Sequence, residues 1–263
     1  MEALESYLAC AQRAADQAAE ILLAGLGEEH RQIEHKGAVD LVTEYDRRSE
    51  ARICEVITRH FPDHRILAEE GSQRGGESLY RWVIDPLDGT TNYAHGYPAF
   101  AVSIALVHAE RLLVGLVDAP ALGERWYALR GGGAYRNGTR IRVSGVDRLA
   151  NALMATGFPY DRHERADFYL RYFRAFMMRT HGIRRNGSAA LDLCNLATGR
   201  FDGFWEFDLH PWDIAAGMLI IEEAGGRLSD FSGAPITIEA KEILASNGHI
   251  HEEMLEVMRQ IHA

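Results

Sequence analysis

The spacing of apolar residues divides the chain into alternating helical and extended stretches. From Ala3 to Ala24, Ala and Leu recur at helical intervals, which predicts a long first helix. Thr43 is suited to cap a second helix, in which Ile53, Val56 and Ile57 form an apolar stripe that must end by Pro62. Arg65–Ala68 and Tyr80–Ile84 are short β-type runs, and each leads directly into acid: Glu69-Glu70 after the first, Asp85 after the second. Phe100–Val107 and Leu112–Val117 follow as β-rich runs around a polar turn at His108–Arg111. Glu124–Leu129 and Gly133–Arg136 come next, and Asn137-Gly138 predicts a hairpin before Ile141–Val143.

Beyond Asp147 strand and helix alternate. Ala152–Thr156, Phe201–Glu206 and Ile243–Ala245 are predicted strands. Asp161–Thr180, rich in Arg and aromatic residues, is a predicted helix, as are Ser188–Thr198, Pro211–Ala224 and His249–His262. No internal repeat, low-complexity tract or linker interrupts the pattern. The expectation is a layered α/β (α+β) protein of two lobes, residues 1–146 and 147–263, sharing a cleft and forming one continuous catalytic unit.

Composition narrows this picture only modestly. With 263 residues, 47% hydrophobic and 25% charged, the chain can bury a sizeable core. No apolar run approaches the roughly 18 residues of a membrane span, so no membrane role is expected. Met1-Glu-Ala-Leu-Glu has neither the basic start nor the apolar stretch of a secretory signal. Cys10, Cys54 and Cys194 are scattered and form no CxxC pair, which suits a reducing, cytoplasmic setting better than a disulfide framework or structural zinc. A net charge of −10 disfavours a general nucleic-acid surface.

The chemistry gathers at Asp85-Pro-Leu-Asp88-Gly-Thr-Thr91. Hard divalent cations want oxygen ligands, and carboxylates supply the compensating charge. Pro86 stiffens the backbone between Asp85 and Asp88, Gly89 allows a tight turn, and Thr90-Thr91 would open a helix whose free N–H groups attract phosphate. Taken alone, Asp88 reads equally as an N-cap, and Asp213, just after Pro211, as a helix-start acid that binds nothing.

Together, these segments resemble the inositol monophosphatase family. Trp82-Val-Ile-Asp-Pro-Leu-Asp-Gly-Thr-Thr-Asn92 is similar to its first signature, Pro211-Trp-Asp213-Ile-Ala-Ala-Gly217 to its second, and Glu69-Glu70-Gly71 to its acidic element. Gly187-Ser-Ala-Ala-Leu extends the likeness, which covers about Lys36 to Gly226. The resemblance implies an α-β-α-β-α sandwich and a magnesium-dependent phosphomonoesterase with two to three ions per site. Glu69, Asp85 and the Leu87 carbonyl would hold one ion, and Asp85, Asp88 and Asp213 a second, with Glu69 helping a weaker third. An Asp85 shared between cations suits a two-metal displacement, in which an activated water attacks while charge on the leaving oxygen is stabilised. Thr90, paired with Asp46, would orient that water, and Glu70 would steer ligands from behind. Gly89, Ser188, Ala189 and Glu206, with Asp88, Thr90 and Asp213, would contact substrate, Glu206 accepting from a hydroxyl. Lys36 resembles a family lysine near the site. Asp46 also fits a pure capping role, Ser188 a pure N-cap, and Glu206 an exposed strand end.

The implied substrate is myo-inositol 1-phosphate or a similar phosphorylated polyol. Fructose 1,6-bisphosphate, histidinol phosphate and 3′-phosphoadenosine 5′-phosphate are the alternatives. Lithium inhibition and a homodimer are further implications. A reading of another class is a regulatory protein joined to the transcription machinery, with Arg184, Arg185 and the Asp161–Thr180 helix as contact surfaces. Other features are set aside. Pro62 separates His60 from His64, Gly131-Gly-Gly133 lacks the Lys of a P-loop, Arg184-Arg185 suits a lobe or dimer surface, and Ser188 has no adjacent base for covalent catalysis.

Overall fold

The computed structural model describes residues 2–26, 33–35 and 41–262. Helix α1 (Glu2–Leu26) is followed by the short pair β1 (Ile33–His35) and β2 (Leu41–Thr43), then α2 (Glu44–His60). Strands β3 (Arg65–Ala68), β4 (Gln73–Arg74) and β5 (Tyr80–Asp88) lead into the short helix α3 (Thr90–Ala94). Next come β6 (Ala101–His108), β7 (Arg111–Ala119), β8 (Glu124–Leu129), β9 (Gly133–Arg136) and β10 (Thr139–Arg140). The remainder runs β11 (Leu153–Thr156), α4 (Arg162–Met177), β12 (Gly182–Arg184), α5 (Ala189–Ala197), β13 (Gly203–Phe207), α6 (Pro211–Glu223), β14 (Arg227–Ser229), β15 (Glu242–Ser246) and α7 (His251–His262).

Two mixed sheets organise these elements. The larger has the order β10-β9-β8-β7-β6-β5-β3-β4, and the smaller β12-β11-β13-β15-β14. Side-chain alternation then sorts the layers. On β5 and β6, Trp82, Ile84, Val102, Ile104 and Leu106 pack with α1 and α2, whereas Val83, Ala101 and Ala105 face α5 and α6. On β13, Phe204 joins the α5–α6 side, and Trp205 and Phe207 point to α4 and α7. The result is the α-β-α-β-α sandwich expected from the sequence, with α5 and α6 as the middle layer. Close approach sets that layer's depth: a Cβ on Gly115 of β7 would lie 2.7 Å from the Ala216 carbonyl of α6.

Most element boundaries follow the hydrophobic pattern, and the departures have local causes. Strand β5 runs on through Asp88 instead of stopping at Ile84. The strand after Asn137-Gly138 is Thr139–Arg140, not Ile141–Val143, because Val143 N turns away to donate to the Ala224 carbonyl (3.2 Å). Helix α4 is shorter than predicted and kinks at Arg165 (φ −121°, ψ 22°). Strands β12 and β14, of three residues each, carry too little alternation to be read and exist by pairing with β11 and β15. Helix α2 ends at His60 as Pro62 requires. His64 instead stacks between Phe61 and Tyr80 and lies 3.1 Å from Trp82 Nε1.

A buried histidine joins the smaller sheet to the last helix. His251 lies 2.9 Å from Ser229 Oγ through Nε2 and 2.9 Å from Ser246 Oγ through Nδ1. Burial lowers its pKa from 6.5 to about 4. Because the folded pKa lies below the unfolded one, this group's contribution to stability is present above pH 6.5 and is lost as pH falls towards 4. Melting temperatures of wild type and His251→Gln across that window are expected to converge at the acidic end; a constant gap would show that His251 does not titrate on unfolding.

Candidate active site

The site begins as an irregularity in a strand. Between Asp85 and Asp88 the pairing of β5 with β6 slips. Pro86 has no N–H for the ladder, and its carbonyl accepts from Ser49 Oγ (2.9 Å). Asp85 Oδ1 accepts from Leu87 N (2.9 Å), which fixes that carboxylate against its own backbone. Gly89 then takes a left-handed conformation (φ +90°) that starts α3, and a Cβ there would meet the Ala99 carbonyl at 2.9 Å and that of Gly187 at 3.3 Å. Thr90 Oγ1 lies 3.0 Å from both Asp46 Oδ1 and the Leu87 carbonyl, so its single proton cannot serve both fully. The Leu87 oxygen keeps a second lone pair.

Asp46 closes a capping box with Thr43 and reaches Thr90 through its other oxygen, so the capping role does not use up the side chain. On the same helix, buried Glu50 accepts from Glu70 N (2.7 Å) and Ser72 N (2.9 Å) and thereby fixes the Glu69–Ser72 turn.

Two helix starts converge on the bulge. Ser188, the N-cap of α5, accepts from Leu191 N (3.3 Å) and donates to Asp88 Oδ2 (2.5 Å), where Ala190 N also donates (2.8 Å). Asp213, in the first turn of α6, accepts from His210 N (2.7 Å). Asn92 Nδ2 donates to the Ala99 (2.6 Å) and Asn186 (2.8 Å) carbonyls and clamps α3 to the loop before α5.

These parts line one pocket of about 600 Å³. Glu69, Asp85, Leu87, Asp88, Gly89, Thr90, Ser188, Ala189, Glu206 and Asp213 all border it. Asp46 stands behind Thr90, and Glu70 lies outside the lining. Lys36 falls outside the described residues. Asp85 and Asp88 are buried, Glu69 and Asp213 half-buried. Burial, reinforced by the charges of Glu69, Asp88 and Asp213, holds the Asp85 carboxyl well above the usual range. Burial likewise raises Asp213, with Asp88 and Glu69 adding to the rise, and brings Asp88 to about 6 against the Ser188 and Ala190 hydrogen bonds. Among the described residues no three acidic, His or Cys side chains close up as a finished metal cage. The fit to a cation lies in the donor chemistry instead: an all-oxygen set of mutually repelling carboxylates beside a backbone carbonyl suits a hard divalent ion.

Sequence reasoning did not find Glu50, Asn92, Asp192 or the Gly157–Arg162 stretch. Asn92 ends the signature heptapeptide's extension and Asp192 lies one turn after Ser188, so both had a positional signal; Gly157–Arg162 had none. Arg184 and Arg185 are both exposed. Arg184 bends back towards the Ile183 carbonyl, whereas Arg185 also borders the pocket, where its charge partly offsets the burial that raises Asp192 to about 8 and holds Glu206 well above the usual carboxylate range.

A bulged strand and two helix starts around clustered carboxylates define a phosphatase of the layered sandwich type. Residues 3–263 match the model of the inositol monophosphatase family, and the chain belongs to that family. It is 46% identical to an inositol-1-monophosphatase of Synechocystis, covering 87% of this chain and 80% of that protein. It is 43% identical to the Nus factor SuhB of Pseudomonas aeruginosa, covering 97% of each. The inositol monophosphatase structure from Anabaena superposes with a TM-score of 0.89 at 43% identity, covering 98% of this chain and 96% of that one.

Gly89→Ala is expected to destabilise the fold by about 1–3 kcal/mol and to depress phosphatase activity, because its Cβ would press on two backbone carbonyls. Chemical denaturation alongside phosphate release checks this; unchanged values in both would mean the turn has slack.

Proposed function

We propose that the enzyme releases phosphate from myo-inositol 1-phosphate or a similar polyol phosphate, with magnesium as its cofactor. The observation that carries this is the four-carboxylate pocket, in which the acidic residues face one another with Glu206 along the wall. Glu69, Asp85 and the Leu87 carbonyl are assigned to one ion, Asp85, Asp88 and Asp213 to a second, and Glu69 also to a third. Divalent cations there supply positive charge for the phosphoryl and leaving oxygens and make a nearby water more acidic.

The chain's own groups do the positioning. Thr90, supported by Asp46, holds the attacking water by its hydroxyl. Helix α3 begins at the pocket, and the first N–H groups of a helix have no partner within it, so they can orient phosphate oxygens. Ser188 and Ala190 hold Asp88 in one rotamer, and Glu70 braces the acidic turn through its backbone. Ser188 and Ala189 border the alcohol, while Glu206 accepts from one of its hydroxyls. Residues 1–146 and 147–263 act as two lobes of one catalytic unit, the first supplying Glu69, Asp85 and Asp88 and the second Asp213 and Glu206.

Asp88→Asn and Asp213→Asn keep shape but remove charge, and each is expected to lower magnesium-dependent phosphate release by about two orders of magnitude or more. A screen of polyol, sugar and nucleotide phosphates, with and without magnesium and with added lithium, measures this and the substrate preference together. Wild-type rates in both variants would remove the metal assignment.

A second reading is favoured by the relative named Nus factor SuhB: a cytoplasmic, dimeric regulator bound to the transcription machinery. Exposed Leu170 and Met177 on α4, with Met178 just after it, offer it an apolar surface. Affinity capture from the native host, with mass measured in solution, tests it; a monomer that captures nothing above background would leave the enzyme alone.

A further inference from the structure

Beyond the carboxylates assigned to cations, two more acids are buried in the same pocket. Glu206 at the end of β13 and Asp192 in α5 both border it, 9% and 1% exposed respectively. Burying a carboxylate without partners is costly, so such a group needs a reason. Asp192 Oδ1 accepts from Asn186 Nδ2 (2.6 Å) and so ties the loop before α5 to the helix. Its other oxygen takes no hydrogen bond among the described residues. It is also not a sealed orphan, because among the described residues only Asp118 Oδ2 is both fully shielded and unpartnered. The small surface that Asp192 retains therefore opens into the pocket. Glu206 receives no hydrogen bond among the described residues, and the same reasoning turns it to the pocket.

The two acids are neighbours. Of the surrounding charges, Asp192 acts most strongly on Glu206, and Arg185 comes next with the opposite sign. The backbone is shaped to seat them: a Cβ on buried Gly157 would overlap the Glu206 carboxylate. A Cβ on Gly187 would stand 2.6 Å from Arg185 Nη1, so the guanidinium lies over that loop at the pocket edge. Adjacent carboxylates with open acceptor oxygens match a ligand that offers adjacent donors.

We infer that Asp192 is a specificity-determining residue, accepting a hydrogen bond from a second hydroxyl of the alcohol whose first hydroxyl is held by Glu206. The inference rests on the polyol reading above and deepens it: the favoured substrate carries two neighbouring free hydroxyls near the ester. Asp192 is separate from the groups assigned to cations. A purely structural Asp192 would serve only Asn186, and an amide oxygen can do the same.

The test compares Asp192→Asn with wild type and Glu206→Gln on myo-inositol 1-phosphate and on cyclohexyl phosphate, a ring of the same size without free hydroxyls. In Asp192→Asn the ratio of kcat/KM for the two esters is expected to fall about 3- to 10-fold, the range for a hydrogen bond between uncharged groups, because burial raises the Asp192 carboxyl to about 8. The change should appear mainly in KM, with the magnesium half-saturation point unmoved. An equal loss on both esters, or a shifted magnesium requirement, overturns the inference and leaves Asp192 as a support of the loop or the cation site. If wild type does not prefer the inositol ester and Glu206→Gln leaves the two esters level, the polyol reading itself falls.

Discussion

Negative charge held away from water is the constraint on which the rest of the molecule depends. Asp85, Asp88, Glu69 and Asp213 border one pocket, and in a poorly polarisable interior like charges repel far more strongly than at the surface. Three of these carboxylates are held by backbone N–H groups at places where regular pairing fails: Leu87 in the bulge, Ala190 at the start of α5 and His210 before α6. Each of those donors would otherwise lack a partner, so the acids and the element ends satisfy one another. What the backbone leaves uncompensated is a demand for positive charge, and this is what makes the pocket a catalytic candidate rather than a defect.

The five layers serve that arrangement. Both sheets press on α5 and α6, and the starts of those helices point into the same pocket as the β5 bulge. Gly115 beneath Ala216 lets α6 lie close to β7, and the Ser103 hydroxyl reaches the Trp212 carbonyl (3.0 Å) to fix where that helix begins. The part of the pocket proposed to take the alcohol is built differently. There the acids Glu206 and Asp192 meet Arg185, and the stretch from Gly157 to Arg162 forms a wall.

The site was legible to different depths. Asp85, Asp88, Thr90 and Asp213 stand out because each is joined to turn or helix-start residues that have few other uses. Asp46 was readable as a cap and as a site residue, and its carboxylate caps α2 with one oxygen and reaches Thr90 with the other. Glu50 and Asp192 look like ordinary helix acids; only packing shows that one braces a turn and the other borders the pocket. Arg185 looks like its neighbour Arg184 and is exposed like it; only its place on the pocket border tells the two apart.

By itself the sequence determined the periodicities and hence the layers. Alternation on β5, β6 and β13 divides each strand between two cores, and Pro, Gly and capping residues place most of the ends. It also determined which segments carry chemistry, because Asp85–Thr91 and Pro211–Gly217 combine acid and turn residues at short range. Tertiary structure decided the rest: the short strands β12 and β14, the kink in α4, and which acids share the pocket. Those outcomes depend on contacts between residues as far apart as Asp88 and Ser188, whose hydrogen bond spans one hundred positions of the chain. Local patterns set which way a side chain faces on its own element, but only the assembled layers set what it meets there.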